Sequence, residues 1–267
     1  MKNILLLVHD DDGQEARVQA ALDLGRALDG HIDCIGVTYT PPLIGGRYDD
    51  LYLLGDALTQ EHARERDNRA RMTERLARED VPHDWAEATG DIGPALRNRC
   101  DLSDVIVINR RLDDYSVPDM RDVAGDVIVS SGKPVLAVPE DCPRLDLSRP
   151  LIAWDGSRCA AAALRAAVPL LQKAGQVTIL EVEDGSVATP AEEAAEYLSR
   201  YDVHAQVVRI AVAPGGAGQV IREELVRRGA SYLVMGGFGH PRFVQSLFGG
   251  VTREMLGSSP VPVFLAH

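Results

Sequence analysis

The sequence predicts an α/β protein built from two tandem doubly wound parallel-sheet domains, and three observations predict it. Short apolar runs without alternation, such as Ile4 to Val8 and Val105 to Ile108, have the pattern of strands covered on both faces. Helical stretches lie between the runs, as parallel strands require, and right-handed crossovers restrict the topology to a few doubly wound arrangements. The design then repeats. From Asp10 to Val37 the first half aligns with Asp155 to Val182 at a constant offset of 145, without a gap.

The first element is a strand over Ile4 to Val8. Its apolar stretch is too short for the core of a signal peptide, and Asp10-Asp11-Asp12 follows almost at once. Glu15 to Leu28 is an alanine-rich helix ending at Gly30, and Ile32 to Tyr39 is the second strand. An insertion from Pro41 to Leu54 comes next, then a charged helix from about Ala57 to Glu79. Glu61, Glu65, Arg69 and Arg75 on it read as a solvated face with i,i+4 ion pairs; a lid or an oligomer contact is the other reading of this segment. Asp104 to Ile108 and Pro134 to Val138 are the last two strands of the first half. The polar, proline-flanked link Cys142 to Pro150 puts the boundary between residues 1–145 and 146–267. In the second half the matching pieces are the strand Leu151 to Asp155, a helix over Cys159 to Lys173 and the strand Val177 to Val182. The strands Ser231 to Met235 and Pro262 to Ala266 complete it.

At 267 residues, with 45% hydrophobic and 25% charged side chains, the composition is that of a soluble globular protein, with no apolar run of membrane-spanning length. The net charge of −12 argues against a nucleic-acid or anionic-membrane partner. Residues 1–145 hold 17 basic and 28 acidic side chains against 11 and 12 in residues 146–267, so a polyanion meets less repulsion in the second half. Cys34, Cys100, Cys142 and Cys159 lack C-x-x-C spacing and read as free thiols in a reducing cytoplasm, the expected location.

The segment most informative about function runs from Tyr232 to Leu256. A strand empties into Gly236-Gly237-Phe238-Gly239-His240-Pro241-Arg242, and Gly249-Gly250 precedes the helical run Val251 to Leu256. Glycine lets backbone N–H groups curl around an anion, and a helix N-terminus adds unpaired donors and partial positive charge. The segment therefore suggests a phosphate cradle. It is neither a Walker loop, lacking Gly-Lys-Ser/Thr, nor the dinucleotide G-x-G-x-x-G.

The spacing Gly236-x2-Gly239-x9-Gly249 resembles that of ATP-binding universal stress proteins, as does the ending Ser258 to Ala266. The resemblance covers nearly the whole chain, once per half. It implies strand order 3-2-1-4-5 in each half, so that Asp155 and the glycine loop face each other at the switch point between first and fourth strands. It also implies that the two final strands pair across a pseudo-two-fold axis, giving a four-layered body. The site it implies has Asp155, with Gly156 beside it, near adenine and ribose. Val182 would read the base through its backbone, and Gly236, Gly239, Gly249 and Gly250 would bind ribose and phosphates. His240 and Arg242 are candidates to reach the phosphates. The family closes its motif with Ser or Thr where this chain has Gly250; Thr252 is a candidate substitute. Losing that hydroxyl bond costs about 1.5–3 kcal/mol, roughly ten- to a hundredfold in affinity.

Plainer roles stand beside these. Asp155 suits a helix N-cap, Val182 a core position, and Gly236 with Gly239 a tight turn. His240 and Arg242 suit a solvated loop, and Trp154 suits packing or the border of an adenine ring. In the first half Asn109 stands at the place of Gly236, with Arg110, Arg111 and several aspartates following, so this half reads as a degenerate partner without nucleotide. Asp10-Asp11-Asp12 reads as a solvated turn, and no residue is assigned to a metal. No catalytic set is evident, and a buried inert thiol is expected at Cys159. Three functions follow. The first is a stress-response regulator or sensor binding ATP, ADP or AMP in the second half, with Mg²⁺ when the ligand is ATP. The second is a non-nucleotide interaction protein, its protein partner unnamed by the sequence. The third is a slow ATPase or phosphotransferase. A homodimer through the insertion is a further possibility for the assembly.

Overall fold

Every buried strand in this chain needs a helix on each face, and the described residues supply eight. The computed structural model describes residues 1–39, 48–110, 119–185, 187–238 and 250–267. In chain order the elements of the first half are β1 Asn3–Val8, α1 Gln14–Leu28, β2 His31–Tyr39, α2 Tyr48–Leu76 and β3 His83–Gly90. They continue with α3 Ile92–Arg99, a 3-10 turn Cys100–Leu102, β4 Val105–Asn109, α4 Met120–Ser131 and β5 Val135–Val138. The second half has β6 Pro150–Trp154, α5 Arg158–Leu171, β7 Val177–Glu183, α6 Ala191–Ser199 and β8 Ala205–Ala211. It ends with α7 Gly216–Arg227, β9 Tyr232–Gly236, α8 Gly250–Ser258 and β10 Val263–Ala266.

The strands form one sheet in the order β3-β2-β1-β4-β5-β10-β9-β6-β7-β8. Each half thus has its strands in the order 3-2-1-4-5, as expected, and all neighbours within a half are parallel. The junction is antiparallel: Val263, Phe264 and Leu265 of β10 lie opposite Ala137, Leu136 and Val135 of β5. Two strand edges that would otherwise template association are covered by each other. Because this pairing makes the sheet continuous, the body has three layers, not the expected four. Alternate residues of each strand feed opposite faces. Ile4, Leu6 and Val8 pack under α1 and α2, with α5 and α6 further along that face. Leu5 and Leu7 join the other face, where α3, α4, α7 and α8 lie.

Local chemistry sets the helix ends. Ser157, not Asp155, caps α5: its hydroxyl accepts from Ala160 N at 3.1 Å, while Asp155 Oδ1 accepts from Ser157 N at 2.9 Å and closes the turn before it. At the end of α1 the left-handed residue is Asp29, φ 51°, rather than Gly30. Gly30 serves close approach instead, since a Cβ there would lie 3.0 Å from the Lys2 carbonyl. The helix expected from Ala57 begins at Tyr48. It is not simply solvated either: Glu65 is 8% exposed, and Arg69 and Arg75 pair across elements with Glu87 and Glu15. All four cysteines are free.

Candidate functional site

A doubly wound sheet leaves a crevice at the carboxyl ends of its strands, where neighbouring crossovers leave for opposite faces. In the second half this place lies between β6 and β9. A cleft of about 350 Å³ opens there, bounded by β7, α7 and the start of α8. Five residues anticipated from the sequence line it together: Asp155, Val182, Gly236, Gly250 and Thr252. Gly239, His240, Arg242 and Gly249 lie outside the described residues. Gly156 stands behind the cleft wall, where it has φ +69° and a Cβ would lie 2.1 Å from Thr189 N. A crossing strap explains that closeness. Ala188 N donates to Asp155 O at 2.9 Å, and Trp154 Nε1 donates to Thr189 O at 2.8 Å. Trp154 is thus a packing residue whose ring also borders the cleft.

The walls are apolar and the mouth is polar. Leu180 and Val182 of β7, Ala217 and Ile221 of α7, and Met235 of β9 form a slot suited to a flat, weakly polar ring. Asp155 and Asp184 add carboxylates, while Ser157 and Thr252 add hydroxyls. Thr252 is only 6% exposed. The α7 contributors were missed from sequence. Their signal was ordinary helical periodicity, which does not distinguish a cleft wall from core. Phe238, also lining the cleft, adopts φ 60° within the glycine segment.

The two motif glycines in the described residues have different jobs. A Cβ at Gly236 would lie 2.4 Å from Ala160 N and 2.6 Å from the Cys159 carbonyl carbon. Gly236 therefore lets β9 end against the backbone of α5. A Cβ at Gly250 meets nothing within 4 Å among the described residues. Cys159, at the edge of the cleft, is not an activated nucleophile. Burial, with the Asp155 carboxylate adding to it, pushes its thiol pKa up. Its Sγ lies 3.5 Å from His267 Nδ1, which is itself 3.0 Å from the Gly237 carbonyl.

In the first half, side chains stand where Gly236 meets the backbone of α5 in the second. Arg17, fully buried, donates from Nε to Leu7 O at 3.1 Å and from Nη2 to His9 O at 2.9 Å. It pairs with Asp11 at 2.8 Å and touches Asn109, the residue at the place of Gly236. A guanidinium and an amide thus stand between the ends of β1 and β4. The steric swap is reciprocal: a Cβ at Gly13 would lie 2.4 Å from Asn109 Nδ2, so here the helix start gives way to a side chain. The acidic triplet is correspondingly not a solvated turn. The Asp11 side chain is 1% exposed, and Asp10 pairs with Arg64 and Arg71 at 3.0 and 2.7 Å. His9 is buried beside Glu65 at 2.8 Å. Burial works to lower the pKa of His9, but Glu65 outweighs it with help from Asp11 and the Val37 carbonyl, and the pKa is raised.

Comparison with known proteins places this geometry. The model of the universal stress protein family matches residues 148–267. A universal stress protein from Archaeoglobus fulgidus is similar over 99% of this chain and 95% of its own, with a TM-score of 0.71 at 17% identity. A functionally unknown protein from Pseudomonas aeruginosa PAO1 is similar over 100% of this chain and 92% of its own, with a TM-score of 0.60 at 15% identity. A universal stress protein in complex with cAMP matches 45% of this chain and 96% of its own, with a TM-score of 0.38 at 18% identity. No curated protein matches the chain. Among the described residues no helix is long and apolar enough to cross a membrane.

Proposed function

We propose that this chain, whose residues 148–267 are a domain of the universal stress protein family, binds one adenine nucleotide in that half and acts as a nucleotide-responsive regulator. The observation that carries the reading is the convergence of Asp155, Val182, Gly236, Gly250 and Thr252 on one cleft of about 350 Å³, at the sheet's switch point. The apolar slot between β7 and α7 suits adenine, the Asp155 carboxylate suits ribose hydroxyls, and the N-terminus of α8 suits a phosphate. Gly250 offers a backbone N–H there but no hydroxyl, which favours AMP or ADP over a tightly held ATP. The reading divides the chain near residue 145 into a nucleotide half and a half where Asn109, touching Arg17, stands at the place of Gly236. One site per chain follows.

The test is calorimetric titration with ATP, ADP and AMP, with and without Mg²⁺, on the native chain and on Ala217→Phe. Ala217 is a half-buried cleft-lining residue, so a phenyl ring there fills the slot with little disturbance of the core. Saturable binding of one nucleotide per chain, weakened at least tenfold by Ala217→Phe, is expected. No binding at millimolar nucleotide would sink the reading and favour a protein partner instead. Metal-dependent release of phosphate would favour a slow ATPase.

A further inference from the structure

The sheet's other switch point carries a different chemistry. Helix α2 presents Glu61 and Glu65 four residues apart on one face, and His9 leaves the end of β1 beneath them. One ligand atom from each of these three residues lies within 4.8 Å of the other two. Carboxylates at i and i+4 on a helix repel each other, and burial makes the repulsion costlier. Glu65 and His9 are 8% and 2% exposed.

We propose that His9, Glu61 and Glu65 bind a divalent first-row transition ion, with Zn²⁺ as the representative, which fastens helix α2 to the first half. Such an ion bonds imidazole nitrogen and carboxylate oxygen at about 2.0–2.2 Å and holds its donors roughly 3–4 Å apart. The three groups therefore need to draw together by no more than about an ångström. One imidazole and two carboxylates suit Zn²⁺ or Mn²⁺ better than Mg²⁺ or Ca²⁺, which prefer all-oxygen shells.

His9 Nδ1 faces both Glu65 Oε1 at 2.8 Å and the Val37 carbonyl at 3.0 Å, so an ion bound through it displaces the proton that this nitrogen shares with them. Hydrogen bonds hold the Glu65 carboxylate as supporting groups around metal ligands do. Asp10 N donates to Glu65 Oε1 at 2.9 Å, and Asn68 Nδ2 donates to Glu65 Oε2 at 3.3 Å. Asn68 is itself fixed by paired amide bonds with Gln14, both at 2.8 Å. Asp11, two residues along from His9, has a buried Oδ2 without a hydrogen-bond partner among the described residues, while its Oδ1 accepts from Gly13 N and Arg17. Of the cations nearby, Arg17 answers Asp11, and Arg64 lies 3.7 Å from Glu61 while bonding Asp10 at 3.0 Å. The site is independent of the nucleotide reading, because its residues all come from the first half.

Titration of metal-free protein with ZnCl₂ and MnCl₂, without nucleotide, tests it by calorimetry and by thermal denaturation. One ion per chain and a rise in Tm are expected. Glu61→Gln should weaken binding on the order of a hundredfold while leaving the metal-free Tm close to native, since Glu61 is half-buried and its one described ion pair is long. His9→Gln should abolish binding; should it fail to fold, Glu61→Gln still decides. No saturable binding of either ion, or equal affinity in native protein and Glu61→Gln, overturns the proposal.

Discussion

Substituting alanine at two glycines of the same motif should have opposite consequences. At Gly236 the added methyl would stand 2.4 Å from Ala160 N, 2.6 Å from the Cys159 carbonyl carbon and 3.0 Å from Ala160 Cα. All three obstacles are backbone, held in the first turn of α5 by the Ser157 cap. Ordinary contact begins near 3.4 Å, so strand or helix must retreat by roughly an ångström. Overpacking of this kind costs about 1–3 kcal/mol, and rigid backbone on both sides places Gly236→Ala in the upper part of that range. A cost of about 2–3 kcal/mol lowers Tm by about 4–12 °C in a chain of 267 residues. At Gly250 the methyl meets nothing within 4 Å among the described residues. Gly250→Ala should therefore be neutral or stabilising by up to about 1 kcal/mol, because alanine restricts the unfolded chain and favours α8. Thermal and urea denaturation of the two variants beside the native protein is the assay. Equal Tm for Gly236→Ala and native protein, or a larger loss at Gly250 than at Gly236, would refute this account of the loop.

Other outcomes follow from the same geometry. Gly250→Ser should raise nucleotide affinity roughly ten- to a hundredfold by supplying a hydroxyl donor where space is open among the described residues, measured by calorimetry; unchanged affinity would separate this position from the phosphates. Arg17→Ala should cost about 3–5 kcal/mol in urea unfolding, because it leaves the buried Asp11 carboxylate without its cation; a loss below about 1 kcal/mol would contradict this buried pair. Burial, with smaller contributions from Asp33 and Asp84, pushes the Cys34 thiol up to about 12. The unfolded thiol ionises near about 8.5, so folding holds a proton that the unfolded chain releases. That contribution is complete below about pH 8.5 and is lost at about 1.4 kcal/mol per pH unit as pH rises towards about 12. Cys34→Ala should flatten the alkaline fall in stability, and Cys34 should resist alkylation at pH 8 until the protein unfolds.

Much of this fold was legible because it rests on local periodicity. Apolar runs such as Ile4 to Val8 and Tyr232 to Met235 are strands for the reason they appeared to be: both faces are covered, so alternation is absent. The resemblance to universal stress proteins implied the strand order within each half and the pairing of Pro134–Val138 with Pro262–Ala266, and the sheet has both. Less was legible where a choice depends on what lies across the fold. Reading Pro41 to Leu54 as an insertion concealed the start of α2 at Tyr48. Glu65 looked solvated among its charged neighbours, and its burial depends on His9, 56 positions earlier. The sequence suited Asp155 to cap α5, and the turn geometry chose Ser157. Cleft walls on α7 carried no mark, because Ile221 packs into the core and lines the cleft at once.

The sequence by itself determined the alternation of strands and helices, the doubling of the unit and the position of the glycine segment. Each of these follows from side-chain polarity and backbone freedom read along the chain. Only the tertiary structure decided how the start of the first helix meets the end of the fourth strand in each half. Asn109 and Gly236 occupy matching places, but the outcome depends on Gly13 and Arg17 in one half and on the backbone of Ala160 in the other. It also decided that the two halves share one three-layered sheet, because antiparallel pairing of β5 with β10 satisfies backbone groups on both edges at once. Local propensity acts over a few residues. How a helix start meets a strand end is settled by volumes that residues nearly a hundred positions apart bring to the same point.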